Sequence, residues 1–599
     1  MTVQQGRHRL VSSIISFAIV TTALVTWPSV ARAATVTVDM IPELVAAVSA
    51  ANPGDTVLLA DGTYTNIGAV TLTNTKPNPT NARIAIAAAN RGKAIFTGVT
   101  RITLKDSRFL SFQDFLFDQA LNTSSANVIT LDNTSFSRIT NNYFFRTGNT
   151  VSPFARVIHV FNHSANNEIS RNTFEDPRGT PITVRDHNTD LTVDDGNHNN
   201  WIHQNMFKNG KYTLDAFPSL SDSNGMEAVQ IGVGGGTSVE MLTTVENNLF
   251  QNYTGDSAEI ISNKSSKNII RYNTFRNNQS QLTLRGGDDV LVDGNFLLGM
   301  SGGMRVFGRR HIIKNNYIAN GVTGIVLPTG TLPGNQVSID SKIVNNTFVN
   351  NTADALYIGA PNTTNDQPTD TRVANNLVVA NQGTAFRTAG SVRTVFSDNI
   401  AHLTGTAQQG TVSPENTLAN PNMTQSGELL RPSAGSVVID HGAPVSEVTL
   451  PDDIDGQARS GNPDAGCDEV STAPLVRAPQ QLSSSNVRVN WPIGDAWVLS
   501  TDQFMPAAPT NVRVTSVTQN SVTVAWDPAT DNVGVTSYEV FTGSSSLNSR
   551  DSLGTTTGTS FTITGLTPGV GLRVAVKASD AARNVSFPST TIFATPAPA

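Results

Sequence analysis

The triplet Asn142-Tyr143-Phe144 returns 30 residues later as Asn172-Thr173-Phe174, and the pattern recurs as far as Asn399-Ile400. In every copy an Asn is followed within two positions by an aromatic or aliphatic residue. The copies between these are Asn205-Met206-Phe207, Asn248-Leu249-Phe250, Asn273-Thr274-Phe275, Asn295-Phe296, Asn316-Tyr317-Ile318, Asn346-Thr347-Phe348 and Asn376-Leu377-Val378. Successive Asn residues are 30, 33, 43, 25, 22, 21, 30, 30 and 23 positions apart. Periods of this length with short apolar runs are typical of a solenoid.

Short strand-like runs precede the repeated Asn, for example Arg138-Ile139-Thr140 and Lys342-Ile343-Val344. Asn tolerates the left-handed turn conformation, and its amide can bond to the same residue of the next coil. We therefore predict an all-β fold, a right-handed parallel β-helix with an Asn ladder at a turn and Phe, Ile and Val stacked inside. The signatures of a leucine-rich repeat or a propeller are not found in this sequence.

Composition narrows the function. Charged residues make up 15% of the 599 residues, against about 25% in an average globular protein. The net charge of −7 argues against a nucleic-acid partner. The single Cys467 excludes a disulfide framework and a cysteine metal site.

The N-terminus has the pattern of a secretory signal over residues 1–33. Arg7 and Arg9 precede an apolar run, and Ala31-Arg32-Ala33 provides a small-x-small cleavage site. We expect a secreted bacterial protein that has no membrane contact after the signal is removed.

The C-terminal part differs in pattern from the repeat. The predicted solenoid occupies 34–475, a linker 476–505, and a separate unit of alternating strands 506–595. In that unit Trp526, Tyr538 and Leu566-Thr567-Pro568-Gly569 resemble a fibronectin type III domain, a small β-sandwich.

A basic segment stands out on this acidic chain. Residues 264–314 contain nine Lys or Arg against three Asp. Lys264, Arg285 and Arg305 are 21 and 20 residues apart, close to the local repeat, so we expect them on one face of successive coils. A solvated basic stripe is the alternative for any one of them, but the three together favour a cleft for an anionic polymer.

Several motifs resemble polysaccharide lyase family 6, which contains chondroitinase B and many alginate lyases. The resemblance spans about 36 to 470. It is carried by Asn224-Gly225-Met226-Glu227-Ala228-Val229-Gln230-Ile231-Gly232, Ala258-Glu259-Ile260-Ile261-Ser262-Asn263-Lys264-Ser265, Leu284-Arg285-Gly286-Gly287, Gly302-Gly303-Met304-Arg305-Val306 and the segment from His311 to Tyr317.

This resemblance implies β-elimination on a uronate, with Lys264 as base and Arg285 as proton donor or partner of a relaying water. A lysine base must be neutral, a state that neighbouring cations favour. The resemblance also implies substrate contacts. We assign these to Arg305, Gln230, His311 and Arg309.

Relatives often hold a calcium ion through one Asn and two Glu, which are hard oxygen ligands. Asn224 and Glu259 match two of these positions, the other Glu falls on Ser257, and Glu227 is a further carboxylate near the site. Calcium binding is therefore one expectation, and direct neutralisation by Arg305 is the other. The chain also departs from the family at Gly286, where a His is usual, and at Gln230, where an Arg is usual.

We therefore predict a lyase that cleaves an anionic polysaccharide. Alginate is the first candidate substrate, and dermatan or chondroitin sulfate is the second. We expect the protein to be a monomer. A non-catalytic polysaccharide-binding protein is the rival from another class, supported by the changed positions and opposed by the intact Lys264 and Arg285. Arg185 is a candidate for the cleft edge, although a surface-loop role is favoured. His159 has no neighbours in sequence that suggest a metal site.

Overall fold

The computed structural model describes residues 33–78, 82–123, 126–185, 198–221, 224–233, 239–256, 259–330, 336–362, 366–410, 415–475, 506–531, 533–542, 551–581, 586 and 589–598. The predicted signal, apart from residue 33, and the predicted linker 476–505 lie outside the described residues, and so does Ser257. The domain boundaries stay a prediction.

Three long parallel sheets form the solenoid, which confirms the predicted parallel β-helix. Sheet 1 consists of Thr35–Val38, Thr56–Leu59, Ile84–Ala88, Leu110–Gln113, Arg138–Thr140, Glu168–Ser170, Trp201–His203, Thr244–Glu246, Ile269–Arg271, Leu291–Asp293, Ile312–Lys314, Lys342–Val344, Arg372–Ala374 and Val395–Ser397. Sheet 2 consists of Gly62–Thr65, Ala94–Thr97, Leu116–Asp118, Tyr143–Phe145, Thr173–Glu175, Met206–Lys208, Leu249–Gln251, Thr274–Arg276, Phe296–Leu298, Tyr317–Ala319, Thr347–Val349, Leu377–Asn381, Ile400–Leu403 and Thr417–Leu418. Sheet 3 consists of Gly68–Leu72, Thr100–Arg108, Ile129–Ser135, Arg156–Phe161, Thr180–Val184, Val229–Ile231, Ile261–Lys264, Leu282–Gly286, Met304–Val306, Ile325–Pro328, Leu356–Ala360 and Phe386–Thr388.

The described ranges contain two helices, Ile41–Ala50, which packs against the first coils, and the short Thr213–Ala216. Neither has the length or apolar character needed to cross a bilayer. Two small strand pairs complete the solenoid: Leu121–Asn122 with Gly148–Asn149, and Met423–Ser426 with Leu429–Pro432.

The C-terminal unit is a two-sheet antiparallel sandwich, as predicted. Its strands are Thr510–Val517, Ser521–Asp527 and Ser560–Thr564 in one sheet, and Asp551–Thr556, Val535–Thr542, Leu572–Asp580 and Ile592–Ala594 in the other. Trp526 and Tyr538 are buried in its core.

The Asn ladder runs along the corner between sheets 1 and 2. The amide of Asn273 donates to Oδ1 of Asn295 over 3.0 Å, and Asn248 donates to Asn273 over 3.0 Å. The same bond joins each successive pair from Asn142 to Asn399. Inside the corner, aromatic rings stack in register; for example, the ring centroids of Phe207 and Phe250 are 4.7 Å apart.

The ladder Asn residues do not themselves take the left-handed conformation that we predicted for them. It is the residue just before each that does so, as at Asn141 (φ 58°), Arg171 (φ 53°) and Asn247 (φ 53°). Two adjacent residues therefore form each corner. The first takes the left-handed conformation that turns the chain, and the second, the ladder Asn, hydrogen-bonds to the next coil.

Candidate active site

The outer face of sheet 3 carries the side chains of the predicted cleft. Gln230, Ser262, Thr283 and Arg305 are aligned on four successive strands. Lys264 ends the strand Ile261–Lys264, and the register shifts there so that Lys264 pairs with Gly286. The three predicted cations share this sheet but do not form one column. The register shift pairs Lys264 with Gly286 rather than Arg285, and Arg305 is aligned with Thr283, two residues before Arg285.

Three buried carboxylates converge beside these cations. One oxygen from each of Glu227, Asp256 and Glu259 lies within 4.8 Å of the other two. All three residues are at most 5% exposed. Because buried charges need compensation, this cluster requires positive groups around it.

The expected catalytic and binding cations supply that compensation. Nζ of Lys264 is 3.6 Å from Oε1 of Glu227. Arg305 and Arg285 approach the same oxygen of Glu259, at 3.1 and 3.6 Å. The Arg285 side chain is 40% exposed, against 10% for Lys264 and 27% for Arg305, so Arg285 is the most accessible of the three.

Further hydrogen bonds hold the carboxylates in place. The Ser262 hydroxyl donates to Glu259, and the backbone N–H of Glu259 donates to Asp256 over 2.6 Å. The Thr180 hydroxyl donates to Glu227 over 3.4 Å. The oxygens are therefore oriented before any ligand arrives.

The donor set fits a hard divalent cation such as Ca²⁺, which takes carboxylate oxygens. A fully buried hydroxyl, that of Tyr253, has no hydrogen-bond partner in the described structure. Burial, followed by the negative charges of Glu227 and Asp256, raises the pKa of Tyr253. The cluster thus has both the charge and the oxygen ligands for an ion.

The structure adds one carboxylate beside the predicted ligands Glu227 and Glu259. Glu227 and Glu259 are both in the cluster, and its third carboxylate is Asp256, the neighbour of Ser257. Asn224 is exposed, whereas the cluster is buried. The sequence did contain a hint of Asp256. It directly precedes Ser257, which stands where the family has Glu, and a loop can shift its acidic residue by one position.

His311 is a correction, because it does not reach the cleft. It is fully buried, its Nε2 bonds to the Phe307 carbonyl at 2.7 Å, and its Nδ1 accepts the Val290 N–H at 3.2 Å. Burial lowers the pKa of His311 to about 4, although the Phe307 contact opposes this. With both nitrogens used, the ring has no donor or acceptor left for a substrate.

His311 belongs to a second ladder, five residues before the first. The same position in other coils is held by Asn167, Asn200 and Asn268, whose Oδ1 atoms accept a backbone N–H of the preceding coil. The sequence signal was present, since His311 lies five residues before the ladder residue Asn316.

The other predicted substrate contacts are placed as follows. Gln230 and Arg305 lie on sheet 3, and the Gln230 amide donates to the Gly232 carbonyl over 3.1 Å. Arg309 is half-buried in the turn after Met304–Val306, and its backbone forms isolated parallel β-bridges with Asp288 and Ile339.

Other cations of the basic segment lie on different surfaces from Lys264, Arg285 and Arg305. Arg271 and Lys314 lie on sheet 1 and pair there with Glu246 and Asp293. Lys267 and Arg310 occupy turns with φ of 57° and 55° and pair with Glu240 and with Asp288 and Asp289. The apparent charge of the segment is thus divided between separate surfaces.

Comparison with known proteins places the solenoid in a family. The model of the family described as "Chondroitinase B" matches residues 38–430. The chain belongs to the chondroitinase B family. The fibronectin type III model matches residues 507–594. Both parts of the predicted resemblance, polysaccharide lyase family 6 and the C-terminal module, are confirmed.

Solved structures with the same fold include an alginate lyase of polysaccharide lyase family 6, AlyGC, in a mutant form. It has a TM-score of 0.61 and 22% identity, over 80% of this chain and 61% of that chain. Another, described as a new alginate lyase of this family in complex with a trisaccharide, has a TM-score of 0.54 and 20% identity, over 68% of this chain and 92% of that chain. At these identities the likeness concerns the fold.

Among curated proteins, chitinase A1 of Niallia circulans is 46% identical over 91 residues, which is 15% of this chain and 12% of that protein. Exoglucanase B of Cellulomonas fimi is 39% identical over 94 residues, 16% of this chain and 8% of that protein. The chain thus spans a small part of the curated relatives it matches.

Proposed function

We propose that this protein is a secreted bacterial lyase that cleaves a uronate polysaccharide, alginate first, by β-elimination. The observation that carries the proposal is the convergence of Lys264, Arg285 and Arg305 on one buried carboxylate cluster within the family-matched solenoid. A glycoside hydrolase would instead use a carboxylic acid and a carboxylate across the bond.

The proposed reaction needs a base, a proton donor and a neutraliser. Lys264, which compensates Glu227 as a cation in the free protein, first releases a proton to solvent, and its neutral amine then takes the proton from C5 of the uronate. The C5 electron pair then forms the C4–C5 double bond, and the C4–O4 bond breaks. A proton passes to O4 from Arg285, the most exposed of the three cations, or from a water held against it. The products are an unsaturated uronate and a free 4-hydroxyl group.

We propose that Glu227, Asp256 and Glu259 hold a calcium ion, which would offset the charge of the uronate carboxylate. Arg305 would add positive charge near the uronate carboxylate, because its partly exposed guanidinium lies 3.1 Å from Glu259 in the same cluster. The carboxylates, oriented by Ser262 and Thr180, would bring the ion to the side of the cleft where Lys264 lies.

The experiment is a spectrophotometric assay of the purified secreted chain on alginate and on dermatan sulfate, which follows the ultraviolet absorbance of the new double bond. We expect absorbance to rise with alginate. Chelator should lower the rate of this rise, and added calcium should restore it. No rise on any uronate polymer would refute the lyase proposal. Activity that chelator leaves unchanged would refute the calcium site and leave neutralisation to Arg305.

Dermatan or chondroitin sulfate is the second candidate substrate, favoured by the chondroitinase B description of the matching family. A higher rate on dermatan sulfate than on alginate in the same assay would reverse the order of the two substrates.

Export and oligomeric state belong to the same proposal. N-terminal sequencing of the exported protein should begin at Ala34, after the predicted Ala31-Arg32-Ala33 site. Light scattering should give the mass of one chain, and a mass of two chains would contradict the expected monomer.

A further inference from the structure

One outer face of the C-terminal sandwich is buried. In the strand Leu572–Asp580, Val574 and Val576 belong to the core of the sandwich. Because successive side chains of a strand point to opposite faces, Ala575 and Lys577 lie on the outer face. They are nevertheless only 5% and 2% exposed. An antiparallel sheet commonly leaves its outer face to solvent, so this burial indicates a cover.

A strand of the other sheet of the sandwich shows the usual alternation. In Ser521–Asp527, Val522 and Val524 are buried in the core, while Thr523 and Ala525 between them are partly exposed. The continuous burial of the first strand is therefore a property of one sheet of the sandwich.

The solenoid contacts the buried outer face. Nζ of Lys577 donates to Oε1 of Gln279 over 3.3 Å, and Gln279 is itself only 7% exposed. The same Nζ lies 5.6 Å from the centre of the Phe541 ring, which adds a cation–π contact. Lysine is almost never fully buried unless it has a partner, and here the solenoid supplies one.

A cavity of about 520 Å³ beside this contact extends along the solenoid. The module lines it with Glu539 and Lys577. The solenoid lines it with residues that directly follow strands of sheet 2 on successive coils: Arg146, Asp176, Asn209, Asn252 and Asn277. The module therefore lies along the turns that lead from sheet 2 to sheet 3.

Hydrogen bonds connect the contact at Gln279 to the segment that carries Asp256. The backbone N–H of Gln279 donates to the Tyr253 carbonyl over 3.0 Å. The hydroxyl of the next residue, Ser280, donates to the Asp256 carbonyl over 3.2 Å. The coil that contacts the module thus also holds the backbone beneath one carboxylate of the cluster.

We propose that the outer face around Lys577 is a docking surface by which the fibronectin type III module binds the solenoid and braces segment 253–256. An undocked module on the predicted linker 476–505 would move over about 30 Å. Docking fixes it instead against the turns after sheet 2. The proposal concerns how two parts of the chain are held together, so it holds or fails independently of the lyase reaction.

The first test is small-angle X-ray scattering of the full-length chain after signal removal. Lys577→Glu should raise the radius of gyration by several ångströms, because an anion would then lie opposite Glu539 and beside the Phe541 ring. Gln279→Lys should do the same, because it brings a second cation against Lys577. The double variant should return to the wild-type value, since the exchanged charges attract each other.

The matched control is Arg573→Glu, the same reversal of charge on the same strand and the same outer face. Arg573 is exposed, so its reversal should leave the radius of gyration unchanged.

Hydrogen exchange measured by mass spectrometry tests the brace. Peptides that cover 252–256 should exchange several-fold faster in either single variant, because release of the module loosens the coil that holds them. The double variant should restore their protection. Peptides around Phe348, several coils away, should be unaffected.

An unchanged radius of gyration in both single variants would overturn the docking surface, and so would an equal increase in Arg573→Glu. Failure of the double variant to recover would overturn the pairing of Lys577 with Gln279. Unchanged exchange at 252–256 in a chain with a released module would overturn the brace. If Lys577→Glu does not fold, Gln279→Lys tests the same surface with the sequence of the module intact.

Discussion

At the corner between sheets 1 and 2 and on the outer face of sheet 3, each coil contributes one residue to an aligned column. The residue type is the same along the first column and changes along the second. The corner places Asn at the same position from Asn142 to Asn399. The aligned row on sheet 3 changes from coil to coil: it runs Thr130, His159, Thr183, Gln230, Ser262, Thr283 and Arg305.

This difference separates structure from function within one solenoid. A buried amide column must be uniform, because each Asn bonds the Asn above and below it, and any gap leaves buried donors unpaired. The row on sheet 3 is aligned by backbone register rather than by one repeated side-chain bond, so its residue types can vary from coil to coil. Substitutions in the first column should therefore reduce stability, and those in the second should reduce activity.

The largest effect is expected for Lys264→Ala on sheet 3. Loss of the base should lower kcat by about 10²–10⁴-fold, measured by the ultraviolet assay on folded protein. The thermal unfolding midpoint should also fall, because the change leaves the buried Glu227 without this cation. The control is Lys267→Ala, three residues away, whose exposed side chain pairs with Glu240. Lyase activity that survives Lys264→Ala would remove this residue from the role of base.

The next effect is expected in the ladder. Asn273→Ala removes the amide that donates to Val245 and Asn295 and the oxygen that accepts the N–H of Asn248. Leaving these buried groups unpaired should lower the free energy of unfolding by about 3 kcal/mol, measured by denaturant titration. Activity per folded molecule should be preserved.

Asn90→Ala is the matched control for the ladder. Its amide bonds to Asp61 at an exposed position, so its loss should stay within about 0.5 kcal/mol. An equal cost at both sites would show that the ladder has no special energetic role.

A pH-dependent effect is expected at His311, the ladder position that we first assigned to the cleft. Its pKa is about 4 when folded and about 6.5 in an unfolded chain. The unfolded state therefore binds more protons between these values, and stability falls as the pH drops from about 6.5 towards 4. His311→Asn should match the wild type at pH 7 and exceed its stability at pH 5 by roughly 2 kcal/mol.

The measurement is denaturant titration at both pH values. The control is His163→Asn, at an exposed left-handed turn that Asn also tolerates. Identical pH profiles for His311→Asn and the wild type would contradict the structural role.

The smallest effect is expected for Arg271→Gln. This residue belongs to the basic segment but lies on sheet 1, paired with Glu246 at 2.5 Å. Arg271 is partly exposed, and the buried Glu246 carboxylate keeps the Trp201 indole N–H as a donor over 2.9 Å. The loss should therefore cost about 1 kcal/mol and should leave the rate on alginate unchanged. A large loss of activity would mean that the polymer also contacts sheet 1.

The sequence by itself determined the solenoid. A ladder requires the same residue at the same turn of each coil, so the period of the coils is visible as the spacing of Asn in the sequence. It also indicated Lys264, Arg285, Arg305, Glu227 and Glu259, which stand in motifs that resemble a known family.

Only the tertiary structure decided which of the remaining residues share a surface. Coils of 21 to 43 residues contribute to three sheets, so residues close in sequence, such as Lys264 and Arg271, end on different faces. The structure also assigned His311 to the interior and brought Asp256 into the carboxylate cluster. These placements depend on strand register and turn geometry, which no local pattern of residue types specifies.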